Sequence, residues 1–80
     1  MKSPRDISGQ EFIKSAKKFG YEFVRQNGSH VKLTTQQKGE HHLAVPNHNP
    51  LKIGMFNALV FEISKHFEIS KQEVIQILFG

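Results

Sequence analysis

The 80-residue sequence contains no cysteine and no tryptophan, and it has no run of the ~18 consecutive apolar residues that a membrane-spanning helix needs. Without cysteine there is neither a disulfide nor a thiol nucleophile, so packing alone must hold the core, as is typical of a reducing cytoplasm. The N-terminal stretch MKSPRDISGQEF has no apolar segment of the kind that directs export. We therefore expect a cytoplasmic protein with no membrane partner.

Acidic residues are fewer than basic ones, with 7 Asp and Glu against 11 Lys and Arg, a net charge of +4. A small, positively charged body attracts polyanions, which makes a nucleic acid a candidate partner. Charge alone does not select that partner, because many small basic domains bind no nucleic acid. The length predicts one domain over residues 1–80 with a modest core.

Apolar residues that recur at helical spacing predict two long helices and a short one. The first runs from Ser8, which forms a capping box with Glu11, to Gly20, and its apolar side is Phe12, Ile13, Ala16 and Phe19. The apolar side of the second is Ile53, Phe56, Leu59, Val60, Ile63 and Phe67. A second capping box, formed by Ser70 and Glu73, predicts the short C-terminal helix. Its apolar residues are Val74, Ile77 and Leu78.

Three strands are predicted between the long helices, from the segments YEFVRQ, SHVKLTT and HHLAVP. The pair Asn27-Gly28 predicts a tight hairpin turn between the first two. In the second strand Val31 and Leu33 alternate with a polar set, namely His30, Lys32 and Thr34. The third strand ends at Pro46, and we expect the three to form an antiparallel meander with one apolar and one polar face.

The predicted fold class is α+β in the order α-β-β-β-α with a short C-terminal helix. The economical packing puts both long helices on the apolar face of the three-stranded antiparallel sheet, giving two layers. This arrangement resembles the double-stranded RNA-binding domain fold, although a fold by itself does not assign a function. The opposite sheet face stays open, and we expect it to carry His30, Lys32, Thr34, His42 and Ala44.

Most catalytic arrangements are missing: there is no Gly-rich phosphate loop and no carboxylate pair at a suggestive spacing. His41 and His42 are neighbours on a strand, so their side chains point to opposite faces and do not share a metal ion. We therefore predict no metal site and no cofactor. His66, near the end of the second helix, is explained by a favourable interaction with the helix C-terminus.

His30 has a different setting, because flexible Gly28 and the hydroxyl of Ser29 precede it and Lys32 follows on the same face. These groups suit a phosphodiester, although an ordinary surface histidine is the simpler alternative. On the first helix, Lys14, Lys17 and Lys18 form a polar side that faces either water or RNA.

The segments SGQEFIKSAKKFGYEFVRQNGSHVKL and AVPNHNPLKIGMFNAL make the sequence resemble the HicA toxins, small mRNA interferases of bacterial toxin–antitoxin pairs. The resemblance extends from about Ile7 to Phe79 and depends on ordered features: Phe19-Gly20, the triplet Gly28-Ser29-His30, Pro46 with His48, and Lys52 with Gly54. One departure is Met55, where the family often has Thr. Without the threonine hydroxyl, the second helix lacks a candidate N-terminal cap at this position.

The resemblance implies a metal-independent endoribonuclease that cleaves mRNA through one essential histidine, here His30, and is held inactive by a HicB-type antitoxin covering that site. Gly28, Ser29, Lys32 and the lysines of the first helix would then contact RNA. Two alternatives stay open: a non-catalytic RNA-binding module with the same fold, and a protein-interaction domain that uses its open sheet edge or face. Of these three functions, only the endoribonuclease would cleave RNA.

Overall fold

The computed structural model describes residues 6–80. Its helices are α1 (Gly9–Ala16), α2 (Ile53–Phe67) and α3 (Lys71–Phe79), with a 3₁₀ turn at Lys17–Phe19, and its strands are β1 (Glu22–Asn27), β2 (His30–Thr35) and β3 (His41–Pro46). The strands form one open antiparallel sheet in the order β1-β2-β3. The α+β fold in the order α-β-β-β-α is thus confirmed. Within residues 6–80, the helices are too short or too polar to cross a membrane.

Both predicted capping boxes are present. At the start of α1, the Glu11 amide donates to the Ser8 hydroxyl over 3.1 Å, and the Ser8 amide donates to the Glu11 carboxylate over 3.2 Å. Ser70 and Glu73 repeat the arrangement at the start of α3, at 3.0 and 3.3 Å. Each box satisfies amides that a helix leaves without partners, an effect worth about 1 kcal/mol per cap.

The start of α2 differs from the sequence interpretation. Its N-cap residue is Lys52, whose side chain makes no capping hydrogen bond, and Met55 is the third residue of the helix. Met55 therefore lies inside the first turn, and the expectation that a hydroxyl at this position would cap α2 was wrong. Leu51, just before the helix, and Phe56, its fourth residue, are both buried, so packing in the core rather than a side-chain cap holds this helix end in place.

The hairpin between β1 and β2 is confirmed, but its turn lies one residue later than predicted. Asn27 pairs with His30, which leaves Gly28 and Ser29 as the two loop residues. Gly28 has φ +64°, whereas Ser29 and Asn27 have no positive φ. A positive φ at the first loop residue alone is the pattern of a type II′ turn, which takes glycine there and follows the right-handed twist of the strands.

The core lies on one side of the sheet only. Buried residues of β2 and β3, Val31, Leu33, Leu43 and Val45, pack against the helices, whose buried residues include Phe12, Ala16, Phe56, Leu59, Val60, Ile63, Val74 and Leu78. The predicted packing of the helices on the apolar face is therefore correct. Two residues assigned to apolar helix sides are not in the core: Ile53 is 48% exposed and Ile77 is 43% exposed. Ile53 is the first residue of α2, and Ile77 lies in the last turn of α3.

A ring cluster closes one end of the core. The hydroxyl of buried Tyr21 lies 2.7 Å from Nδ1 of His41, and the His41 ring stacks on that of His66 with centroids 4.5 Å apart. His66 in turn donates from Nε2 to the carbonyl of Gln37 over 2.8 Å. The last turn of α2 is thereby joined to the β2–β3 loop, a role for His66 that a helix-terminus argument does not predict.

Protonation decides the direction of the hydrogen bond between Tyr21 and His41. Burial raises the pKa of Tyr21, and Glu62 adds to the effect, so the hydroxyl keeps its proton and donates to Nδ1. Burial is also the main cause that lowers the pKa of His41, followed by the neighbouring His66; His42 lowers it further and Glu62 opposes the shift. The folded protein thus favours neutral His41.

We predict that the cluster makes folding sensitive to acid. Below the ordinary His pKa of 6.5 the unfolded chain binds a proton that folded His41 resists, so the free energy of unfolding falls as pH falls through and below this value. His41→Asn keeps an acceptor near Tyr21 but removes the titration, and its thermal midpoint should fall less than that of the wild type between pH 7.5 and 5.5. His48→Asn serves as the control. Equal losses in wild type and His41→Asn would contradict the prediction.

Candidate functional site

The polar face of the sheet carries the residues that alternate with the core. On β2 these are His30, Lys32 and Thr34, and their partners on β3 are Pro46, Ala44 and His42 respectively. Asn27 and Arg25 of β1 stand opposite His30 and Lys32 on the other side. The prediction of an open polar face is confirmed, and the structure adds Arg25 to it.

Along β3 this face is bordered by residues 55–62 of α2, and the two enclose a groove of about 500 Å³. The sheet side of the groove is basic, and the helix side is mostly apolar. Its lining residues are Arg25, Asn27, His30, Lys32, His42, Leu43, Ala44, Met55, Ala58, Leu59 and Glu62. The groove therefore offers cations and an apolar wall to the same ligand, a combination that suits the phosphate and base of a nucleotide.

His30 is exposed, and within residues 6–80 its imidazole has no hydrogen-bond partner. Its backbone, in contrast, is fixed, since at the first position of the central strand it pairs with Asn27 on one side and with Pro46 on the other. Both ring nitrogens are thus available to a ligand, on a residue whose position the sheet determines. A positioned but unoccupied imidazole is what proton transfer requires.

His42 lines the same groove but is already engaged. Its Nε2 lies 3.1 Å from a carboxylate oxygen of Glu40, and its Nδ1 lies 2.7 Å from the Thr34 hydroxyl. Since a carboxylate only accepts, Nε2 carries the proton, and in the neutral ring Nδ1 accepts from Thr34. As expected from strand alternation, His41 points away from His42, toward Tyr21. Among residues 6–80, no cluster of three or more His, Asp or Glu could hold a metal ion.

The turn before His30 is held from two sides. The Gln26 side-chain amide donates to the carbonyl of Gly28 over 3.0 Å, and the Asn47 amide donates to the carbonyl of Ser29 over 2.6 Å. A Cβ on Gly28 would meet nothing within 4 Å, so its positive φ, rather than crowding, demands glycine here. This backbone requirement accounts for Gly28 whether or not it touches RNA.

The loop after β3 also contacts α1. The Gly9 amide donates to the carbonyl of His48 over 2.8 Å, and a Cβ on Gly9 would collide with the Pro46 carbonyl oxygen and lie 2.9 Å from Cα of Asn47. The start of α1 is therefore pressed directly on the loop that holds Ser29. Glycine is required at this position by close approach and not by backbone conformation.

The structure does not bring all predicted RNA-binding residues together. Lys32 is half-buried and lines the groove beside His30, whereas the three lysines of the first helix lie in the helix layer, behind the sheet. Lys18 donates from Nζ to the carbonyl of Leu78 over 3.1 Å and so caps the end of α3. Lys14 and Lys17 are exposed, and Lys17 lies beside the beginning of β1. RNA contact by these three stays a prediction.

Sequence reasoning missed Arg25 and the helix wall of the groove. Simple alternation from buried Tyr21 would turn Arg25 toward the core face, and only the β-bulge next to it reverses this. The alternation of residues along the strands also does not predict that α2 runs along β3 and forms one wall of the groove. The apolar residues exposed at the start of that helix, among them Met55, were the available signal.

Comparison with known proteins gives one finding that bears on identity. The family model described as "HicA toxin of bacterial toxin-antitoxin" matches residues 9–69, which span α1, the whole sheet, the turn before His30 and α2. No curated protein and no solved structure gave a match. Because the matched segment is most of the chain, the protein belongs to the HicA family of bacterial toxin–antitoxin toxins.

Proposed function

We propose that this toxin is a metal-independent endoribonuclease that cleaves mRNA in the cytoplasm, with His30 as its catalytic residue and a HicB-type antitoxin as its inhibitor. The observation that carries the proposal is the free imidazole of His30 in a groove that Lys32 and Arg25 also line. Membership of a toxin family supports a reaction that stops growth.

RNA makes this chemistry accessible to a small protein because it contains its own nucleophile. The 2′-oxygen bonds to phosphorus as the P–O5′ bond breaks, the 2′-proton leaves to a base, and the 5′-oxygen takes up a proton. The products are a 2′,3′-cyclic phosphate and a 5′-hydroxyl. His30 carries one of the two proton transfers, and a nearby cation stabilises the negative charge that gathers on the phosphate oxygens. DNA, which lacks the 2′-hydroxyl, is inert in this mechanism.

Exposure of His30 allows catalysis to be separated from folding. We expect His30→Ala to change stability by roughly 0.5 kcal/mol or less, as surface substitutions usually do, and to lower the rate of RNA cleavage by a factor of ~10² or more. The assay follows a fluorescently labelled single-stranded oligoribonucleotide, with thermal unfolding in parallel. His48→Ala, which removes an exposed imidazole outside the groove, is the matched control. Cleavage by folded His30→Ala at the wild-type rate would refute the assignment.

The mechanism needs no metal ion, so we expect the wild-type protein to cleave RNA at an undiminished rate in EDTA. The products should include a 2′,3′-cyclic phosphate end, detectable by mass spectrometry. Loss of activity on chelation, with recovery on adding zinc or magnesium, would show that a metal takes part in the reaction.

Inhibition by the antitoxin is expected to involve the same face. Binding should slow hydrogen exchange in the Gly28–Ser29 turn and in the loop after β3, and association should weaken with salt because Arg25 and Lys32 are charged. Hydrogen-exchange mass spectrometry of the complex measures the first effect. Unchanged exchange around His30 in an inactive complex would mean that the antitoxin acts from another surface.

A further inference from the structure

The pairing of β1 with β2 changes register at one residue. Glu22 pairs with Thr34 and Phe23 with Leu33, but the next pair is Arg25 with Lys32, so Val24 has no partner. In an unbroken ladder Val24 would stand opposite Lys32, and Arg25 would fall on the core face. The bulge therefore puts a cation on the polar face, at a position that unbroken alternation would turn toward the core.

The position of Arg25 on the polar face has an electrostatic cost. Arg25 and Lys32 stand directly opposite each other on neighbouring strands, an arrangement in which like charges repel and lower stability. Within residues 6–80, neither cation forms an ion pair. Folding alone gives no reason to put Arg25 there, whereas an anion bound between the two would offset the repulsion.

We propose that Arg25 binds the phosphate that undergoes cleavage, donating hydrogen bonds from its guanidinium to the non-bridging oxygens while His30 transfers a proton. The inference rests on the proposed function and adds to it a substrate-binding residue on β1. Three features support it: Arg25 lines the same groove as His30, it pairs with Lys32, and its planar fork of donors matches two phosphate oxygens at once.

The test compares Arg25→Gln, which keeps most of the side-chain length without its charge, with Arg25→Lys and with Lys71→Gln. Lys71 is an exposed cation at the start of α3, outside the groove, so its loss controls for net charge. Cleavage of the labelled oligoribonucleotide gives kcat and KM. Binding is measured separately by fluorescence anisotropy, with an oligomer that carries 2′-deoxyribose throughout and cannot be cleaved, at several salt concentrations.

We expect Arg25→Gln to lower kcat/KM at least tenfold, with Arg25→Lys recovering part of the loss and Lys71→Gln staying within twofold of wild type. In the binding assay, Arg25→Gln should reduce the salt dependence by about 0.7 in the log–log slope, the value for one phosphate contact on a single strand. Its unfolding midpoint should be unchanged or higher, because the repulsion with Lys32 is removed. A purely structural role of Arg25 would instead lower that midpoint.

Failure of this inference and failure of the proposed function give different results. If wild type cleaves and His30→Ala does not, but Arg25→Gln matches Lys71→Gln in cleavage and binding, then only the role of Arg25 is overturned. If wild type does not cleave RNA, the proposed function fails, and the binding assay still decides whether Arg25 contacts a phosphate. A lower unfolding midpoint in Arg25→Gln with an unchanged salt slope also overturns the inference.

Discussion

Burial of one face of the central strand is the constraint on which the molecule depends. Val31 and Leu33 of β2 are covered by the helices, together with their β3 partners Val45 and Leu43. Because strand side chains alternate, fixing these residues inward also fixes His30 and Lys32 outward. A slip of one residue would bury those two groups and expose the valine and the leucine, at a cost of several kcal/mol. The same burial therefore stabilises the fold and presents the groove.

Local sequence signals were sufficient for much of the fold. The capping boxes at Ser8 and Ser70, the helical spacing of buried residues in α2 and the alternation in β2 each depend on neighbours within a few positions, and all three are present in the structure. His30 and Lys32 were placed on a common face by the same local rule.

Features that depend on residues distant in sequence were not predictable. The bulge at Val24 is set by how the whole of β1 fits β2, and alternation alone would put Arg25 on the core face instead of the polar face. The turn lies at Gly28-Ser29 and not at Asn27-Gly28, because the register of β1 on β2 pairs Asn27 with His30 and leaves the glycine at the first loop position. The stacking of His41 on His66 joins elements 25 positions apart, and no pattern along the chain indicates it.

The crowded contact of Gly9 with the loop after β3 affects how mutational data on this protein should be interpreted. A side chain at this position would push Asn47, whose amide holds the Ser29 carbonyl, and so disturb the residue next to His30. In a deep mutational scan scored by loss of toxicity, substitutions at Gly9 should therefore reduce toxicity about as much as substitutions in the groove. That effect would reflect steric transmission through two backbone hydrogen bonds, and it would not locate RNA on α1.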